Sequence, residues 1–367
     1  MTDSNTRNCI LSYPDKQSME TCLSWDGNGA FVEGDQDEKA NGTFYFGDNL
    51  SLLHLLRPQY QGMVDLIYID PPFGTGKSFV NIDQEVAYKD QILDYEFLEF
   101  LRKRLYVMRE WLSDRGSIYL HIDKKIGHYV KLIMDEVFGY ENFLNDISRI
   151  KCNPKNFSRK AYGNYSDMIL LYAKHRDQHI WHETREALQE DEIKKLFPKI
   201  SPSGDRYTTH PLHAPGETKD GDTGKSWKGL LPPKGRHWRY GRAVLDELDA
   251  QGLIEWSATG NPRKIVYAKD HPGKKVQDVW EFKDRGLSYV AYPTQKNHEL
   301  LRRILLQSSE PDSLILDAFA GSGGTLLIAE ELGRRWIGMD QSEQALNVIQ
   351  EQMNSQGIQA NWLQLVS

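Results

Sequence analysis

The run Val64-Asp65-Leu66-Ile67-Tyr68-Ile69, followed at once by Asp70-Pro71-Pro72-Phe73, constrains this chain more than any other stretch. The run is short, apolar and β-rich, as expected of a strand buried on both faces of a parallel sheet. Two prolines then end it, because neither can donate to a ladder. In an open α/β sheet, ligands bind beyond the carboxyl ends of the strands. Asp70 and Phe73 are therefore expected at a ligand site by position alone.

A carboxylate beside an aromatic face suits a planar amine, such as the N6 group of adenine. That nitrogen is a poor nucleophile, because its lone pair is delocalised into the ring. A carboxylate accepting one N–H and a backbone carbonyl accepting the other would pull it toward sp³. Asp70 and the Pro71 carbonyl fit those roles. The rigid Pro71-Pro72 peptide would hold the carbonyl, and Phe73 would stack on the base. The same residues also read as a plain strand-end turn with a satisfied aspartate, and alone they do not separate the two readings.

A second stretch, Ser313-Leu314-Ile315-Leu316-Asp317-Ala318-Phe319-Ala320-Gly321-Ser322-Gly323-Gly324-Thr325, reads as strand, Gly-rich turn and helix. A ligand must approach the backbone N–H groups at such a helix start, where a Cβ would obstruct it. A dinucleotide fingerprint fails here, since Leu326 stands where a third glycine is needed. The next strand, Trp336 to Asp340, ends in an acid at the distance expected for a ribose contact, which supports a nucleoside ligand.

Asp70-Pro71-Pro72-Phe73 resembles the catalytic motif of amino-group DNA methyltransferases, and its initial Asp resembles the adenine-N6 rather than the cytosine-N4 enzymes. The stretch after Asp317 resembles that family's S-adenosylmethionine motif, Asp-x-Phe-x-Gly-x-Gly-x-Thr. The catalytic motif precedes the cofactor motif, an order that resembles the β group, which includes the modification subunits of type III restriction systems. The resemblance implies an α/β, Rossmann-like, S-adenosylmethionine-dependent methyltransferase fold, circularly permuted, with an inserted target-recognition region. It implies S-adenosyl-L-methionine as cofactor, held by Asp317, Phe319, Gly321, Gly323, Thr325 and Asp340. Gly47-Asp48-Asn49-Leu50 resembles a turn near the adenine end of the cofactor; Asp48 also reads as a plain helix cap. Tyr292-Pro293-Thr294-Gln295-Lys296 resembles a segment lining the methionine end, which adds Thr294 and Lys296. A helix N-terminus and Lys296 would both favour the methionine carboxylate. Asn297 replaces the usual proline, and a less preorganised turn is expected.

Phosphate-loop readings of Gly74–Ser78 and Gly221–Ser226 fail, because Pro71 and Lys219 occupy the required glycine positions. Residues 74–89 read instead as a loop closing over a flipped base, with Lys77 on phosphate. Tyr95 to Leu112 has the spacing of an amphipathic helix. His121 and Asp123 end the next strand on the ligand side. His175, His179 and His182 read as a polar helix start, and no metal is expected.

The formal net charge of -7 argues against a general polyanion binder, but the charge is uneven. Residues 223–275 hold eleven Lys/Arg and five acids, so this stretch is +6 and the remainder -13. It belongs to a segment, 185–285, rich in Pro and Gly, in which Trp227, Trp238, Trp256 and Trp280 stand among basic residues. Such interleaving fits DNA contact or a solvated surface over a small tryptophan core. Arg236, Arg239, Arg242, Arg263 and Lys264 are the candidate DNA contacts. The expected organisation is an N-terminal arm over 1–42 with an edge strand at Cys9–Tyr13, a catalytic half over 43–184, the target-recognition insertion over 185–285, and a cofactor half over 286–367.

Cys9, Cys22 and Cys152 form no Cys-x-x-Cys pair, which suits a reducing compartment. No apolar run approaches a membrane span, and a cytoplasmic enzyme acting on double-stranded DNA is expected. A homodimer and a cognate restriction subunit are further partners that the resemblance implies. A cytosine-N4 DNA methyltransferase, the same chemistry on RNA or a protein amide, and a non-catalytic DNA-binding module stay open.

Overall fold

Parallel strands need both faces covered, and this chain meets that need by alternating strands with amphipathic helices. A computed structural model describes residues 10–27, 29–33, 40–72, 79–80, 86–88, 94–154, 160–284 and 296–366. They fall into two units, Met1–Thr184 with Gln277–Ser367, and Arg185–Val276.

The first unit is built on one ten-stranded sheet. Its strands are β1 (Ala30–Glu33), β2 (Gly42–Phe46), β3 (Val64–Ile69), β4 (Leu112–Ile122), β5 (Phe143–Ile150), β6 (Ser166–Ala173), β7 (Val279–Glu281), β8 (Leu314–Asp317), β9 (Arg335–Asp340) and β10 (Asn361–Val366). They lie in the order β1-β10-β2-β9-β8-β3-β4-β6-β5-β7. From β10 to β4 every neighbour is parallel; β6 then runs antiparallel between β4 and β5. Chain order reverses between β8 and β3: β8 leads to β9 on one side, β3 to β4 on the other. That boundary is the switch point of a doubly wound sheet, and the carboxyl ends of both strands open into it. The strand carrying the glycine turn lies beside β3 yet follows it by more than two hundred residues, which is the expected circularly permuted, Rossmann-like α/β arrangement.

The α-helices of this unit are α1 (Met19–Leu23), α2 (Asn49–Tyr60), α3 (Asp94–Trp111), α4 (Lys124–Phe138), α5 (His298–Ser308), α6 (Gly324–Glu331) and α7 (Glu343–Ser355). In α3 the apolar set Phe97, Leu98, Leu101, Leu105 and Met108 is buried in the main core, as its spacing predicts. Side-chain caps start several helices: Asp48 for α2, Asp123 for α4, Asn297 for α5 and Ser342 for α7. Among the described residues no helix is long and apolar enough to cross a membrane.

The arm departs from expectation. Residues 10–13 form no strand, and Cys9 lies outside the described residues. The edge strand is β1, antiparallel to β10. Residues 11–17 serve as anchors instead: the Tyr13 hydroxyl donates to Glu99 Oε2 at 2.7 Å, and Lys16 pairs with Glu136. Arg102, at 1 % exposure, binds both Glu99 and Glu136 and donates to the Gln17 carbonyl. Of the three consecutive basic residues Arg102, Lys103 and Arg104 in α3, the two arginines are thus inside the protein. The histidine segment differs too: residues 174–179 form turns rather than a helix, with Lys174 and His175 near Asp114. Among the described residues no group of His, Cys, Asp and Glu could hold a metal ion.

In the second unit a hairpin pairs Ile254–Trp256 antiparallel with Pro262–Lys264. Strands 206–211 and 199–200 complete a four-stranded sheet. Leu212, Trp227, Trp238, Leu245 and Leu248 make a small core, on which half-exposed Trp256 stacks at 6.0 Å from Trp227. Trp280 belongs elsewhere: it lies on β7, which pairs with β5 and so returns residues 277–284 to the main sheet before position 285.

Replacing Arg102 with Met should leave two carboxylates without their buried cation, at a cost of about 3 kcal/mol. Chemical denaturation is expected to show that loss, with faster proteolysis in residues 10–27 as the arm detaches.

Candidate active site

The prolines place Asp70 at the mouth of the switch point, one residue beyond β3. Its carboxylate is only partly used. Oδ2 lies 2.7 Å from Lys296 Nζ, with both side chains largely buried at 17 and 16 % exposure. Oδ1 is buried with no hydrogen-bond partner among the described residues. A buried acceptor left open is costly unless something binds it. Pro71 is buried and Pro72 half-buried. Phe73, Lys77 and Thr294 lie outside the described residues, and of the loop expected over 74–89 only the pair Phe79–Val80 with Val86–Tyr88 is described.

Across the switch point, the turn after β8 needs left-handed backbone at two positions, Gly321 with φ 51° and Gly323 with φ 76°. A Cβ on Gly323 would also lie 2.8 Å from Ile349. Gly323 caps α6 without a side-chain hydrogen bond, so the first-turn N–H groups stay available to a ligand. Asp317 is fully buried; its partners are the Phe319 N–H at 3.1 Å in the loop and the Thr325 hydroxyl in the first turn of α6. Burial pushes its carboxyl up to about 7, and neighbouring Asp70 and Asp340 add to this. Asp340 accepts N–H bonds from Gly321 at 2.8 Å and Ser342 at 2.9 Å. Burial raises its pKa also.

Asp48 caps α2 by accepting the Ser51 N–H at 2.9 Å, and its other oxygen takes Arg104 at 2.9 Å. Arg104 also binds Asn49, whose amide donates to the Ala318 carbonyl at 2.6 Å. The guanidinium lies 3.5 Å from the centre of the Phe100 ring, which in turn packs on Phe319. Asn49, Phe100 and Arg104 thus tie the Asp48 turn to the glycine turn. In the sequence Arg104 is one of three consecutive basic residues, a pattern that does not set it apart from a solvated stretch.

Below Asp70 runs a buried polar chain. Tyr68 OH meets His121 Nδ1 at 3.1 Å, His121 Nε2 meets Asp167 at 3.2 Å, and Asp167 takes Lys151 at 2.6 Å. Burial and then the Lys296 charge lower the His121 pKa, so the ring is neutral. With Asp167 accepting at Nε2–H, Nδ1 accepts the tyrosine proton. Burial alone would raise Asp167, but His121 and Lys151 hold it well below the usual carboxylate range. Asp123 caps α4 and lies 3.7 Å from Lys151.

Asn297 compensates for the missing proline. Its Oδ1 accepts the Glu299 N–H at 2.9 Å, and its amide donates to the Lys283 carbonyl at 3.1 Å. An Asn directly before a periodic helix is the signal for such a cap.

In the other unit, three candidate arginines converge on His213. Arg236 lies 3.2 Å from its ring, and the charges of Arg236, Arg239 and Arg263, after burial, lower its pKa. Arg263 spends its guanidinium on Thr209, at 2.9 and 2.6 Å, and Lys264 lies over the Tyr240 ring. Exposed Arg239 donates to the Pro211 carbonyl, and exposed Arg242 is 3.7 Å from Asp246.

A switch-point crevice with a glycine turn on one wall and an open carboxylate on the other defines a nucleoside-handling α/β enzyme. The chain belongs to the DNA methylase family, whose model matches residues 64–351. It is 41% identical over 304 residues to the type II methyltransferase M.EcaI of Enterobacter cloacae, covering 82% of this chain and 66% of that protein. It is 27% identical over 358 residues to the type III restriction-modification enzyme StyLTI Mod subunit of Salmonella typhimurium, covering 85% and 54%. The chain thus spans just under two thirds of the first relative and about half of the second. A solved structure of an M1.HpyAVI–SAM complex aligns over 85% of this chain and 99% of that one, with TM-score 0.47 and 16% identity.

The raised Asp317 carboxyl binds its proton more tightly in the folded chain. Its stabilisation is full below pH 3.8 and is lost as pH rises through about 7. Relative to Asp317→Asn, which does not titrate, the wild type should therefore lose melting temperature across that window. Thermal melts of both proteins at matched pH values check this.

Proposed function

We propose that this chain is a site-specific DNA methyltransferase that moves a methyl group from S-adenosyl-L-methionine to the N6 amine of adenine. The open Oδ1 of Asp70 at the switch point carries the reading. The residues present fit the cofactor: a glycine turn with positive φ leads into an uncapped helix start, and Asp340 stands at the end of the adjoining strand. Gly321, Gly323, Phe319 and Asp340 would hold it, with Asp317 and Thr325 setting the turn, Asp48 closing the adenine end, and Thr294 near the methionine end. When bound, S-adenosyl-L-methionine supplies an electrophilic methyl on a sulfonium sulfur.

The chain's own residues do the rest. A base rotated out of the duplex costs a few kcal/mol in lost stacking and pairing, roughly offset by contacts in the pocket. Phe73 stacks on it. Asp70 Oδ1 and the Pro71 carbonyl accept the two amino hydrogens, which frees the nitrogen lone pair from the ring and fixes its direction. The Asp70 charge stabilises the positive charge that develops on the nitrogen. Exposed Arg236, Arg239 and Arg242 would contact DNA along with Lys77, while Arg263 and Lys264 brace that surface through Thr209 and Tyr240. Double-stranded DNA is the substrate in this reading, and the cytoplasm its setting. A homodimer and a restriction subunit are the partners to test by sedimentation and co-purification.

Methyl transfer from labelled cofactor to unmethylated DNA, with mass identification of the nucleoside, tests the reaction. N6-methyladenine is expected; N4-methylcytosine would overturn the base assignment. Asp70→Ala should lower the rate by about a hundredfold or more, and intact methylation would remove Asp70 from the mechanism. Replacing Arg236 and Arg239 together by Gln should weaken binding across sequences. It should also flatten the slope of log K against log salt by about 0.9 per lost phosphate contact. An unchanged slope would take these arginines off the DNA.

A further inference from the structure

The resemblance assigns Lys296 to the cofactor, yet in the structure it lies on Asp70. We propose that Lys296 is a positioning residue for Asp70: by engaging Oδ2 it leaves Oδ1 as the acceptor that meets the amino group of the target base. The inference rests on the functional reading above and deepens it at the same site.

The geometry is specific. A carboxylate on a single χ2 axis can present either oxygen, and each rotation moves the acceptor relative to a bound amine. The 2.7 Å contact from Lys296 Nζ fixes one oxygen, and the other is buried without a partner among the described residues. Lys296 is itself held in place, since the next residue, Asn297, caps α5 and donates to the Lys283 carbonyl. The lysine therefore sits on a fixed backbone. Its charge also has work to do, because Asp70 and Asp340 lie close enough to Asp317 to raise its cost of ionisation. An ammonium placed on Asp70 offsets that repulsion where the reaction needs a charged acceptor. Tyr68 and neutral His121 complete the surroundings below, and neither brings a competing charge.

A lysine serving Asp70 acts on the chemical step, whereas a lysine serving the methionine carboxylate acts on cofactor affinity. Lys296→Gln and Lys296→Arg in the full chain separate these. Single-turnover methylation at saturating S-adenosyl-L-methionine gives the first quantity, and calorimetric Kd for the cofactor the second. For Lys296→Gln the rate should fall by about a hundredfold, with the Kd changed by no more than about threefold. Lys296→Arg keeps the charge, and its rate should lie at least about tenfold above that of Lys296→Gln. A Kd weakened more than about tenfold with the saturating rate retained would overturn the inference, as would an unchanged rate and Kd. Should the Gln variant fail to fold, Lys296→Arg alone decides. A rate below wild type at unchanged Kd supports the pairing, and a weaker Kd at wild-type rate overturns it. Wild-type transfer to DNA is scored separately and tests the functional reading alone; the ratios between wild type and variants test Lys296.

Discussion

Two adjacent parallel strands that lead away from each other leave a gap that no crossover can cover. In this protein they are β8 and β3, paired at Ile315 with Leu66 and Leu316 with Ile67. Each is nearly free of water and continues into residues that cannot extend the ladder, a glycine turn on one side and two prolines on the other. The sheet's hydrogen bonding therefore stops at the same level on both strands, and polar groups collect where it stops. The candidate site is a consequence of that topology rather than an addition to it.

The same constraint creates an electrostatic problem. Asp70, Asp317 and Asp340 end three consecutive strands of the sheet, and like charges that close disfavour ionisation. The chain distributes the load in different ways. Asp317 is turned into its own loop and carries a raised pKa; Asp340 is satisfied by backbone N–H groups; Asp70 has a cation. Only the last arrangement leaves a carboxylate oxygen buried without a partner among the described residues. Three acids of similar origin thereby reach three different environments, and the proposed reading gives them turn formation, cofactor recognition and chemistry.

Much of this was legible in the sequence because local signals and tertiary demands coincide. The β3 run, the glycine turn and the apolar face of α3 each have a period or a breaker that fixes their conformation. What was not legible depends on partners far apart in the chain. Arg102 and Arg104 lie in one helix turn, next to a lysine, and resemble any solvated basic stretch. One closes the arm against Glu99 and Glu136, and the other joins Asp48 to Phe100. Nothing local distinguishes these fates, because burial of a charge is decided by where its counter-charge lies. Lys296 is the same case: its neighbour in space, Asp70, is set by strand order. The arm's edge strand was misplaced for a related reason, since an exposed edge accepts any extended segment and the sequence does not specify which.

The second unit closes upon itself at its two ends. It begins at Arg185–Glu186 and ends at Lys274–Lys275, and these two dipeptides pair antiparallel. The chain therefore leaves and re-enters at nearly one point, and whatever lies between is closed upon itself as a lobe with its own tryptophan core. An element attached in this way can be exchanged as a cassette, lengthened or replaced by recombination, with little disturbance to the strands that carry Asp70 and the glycine turn. In the proposed reading of this lobe as the target-recognition region, such a joint would let recognition drift quickly while the chemistry stays fixed.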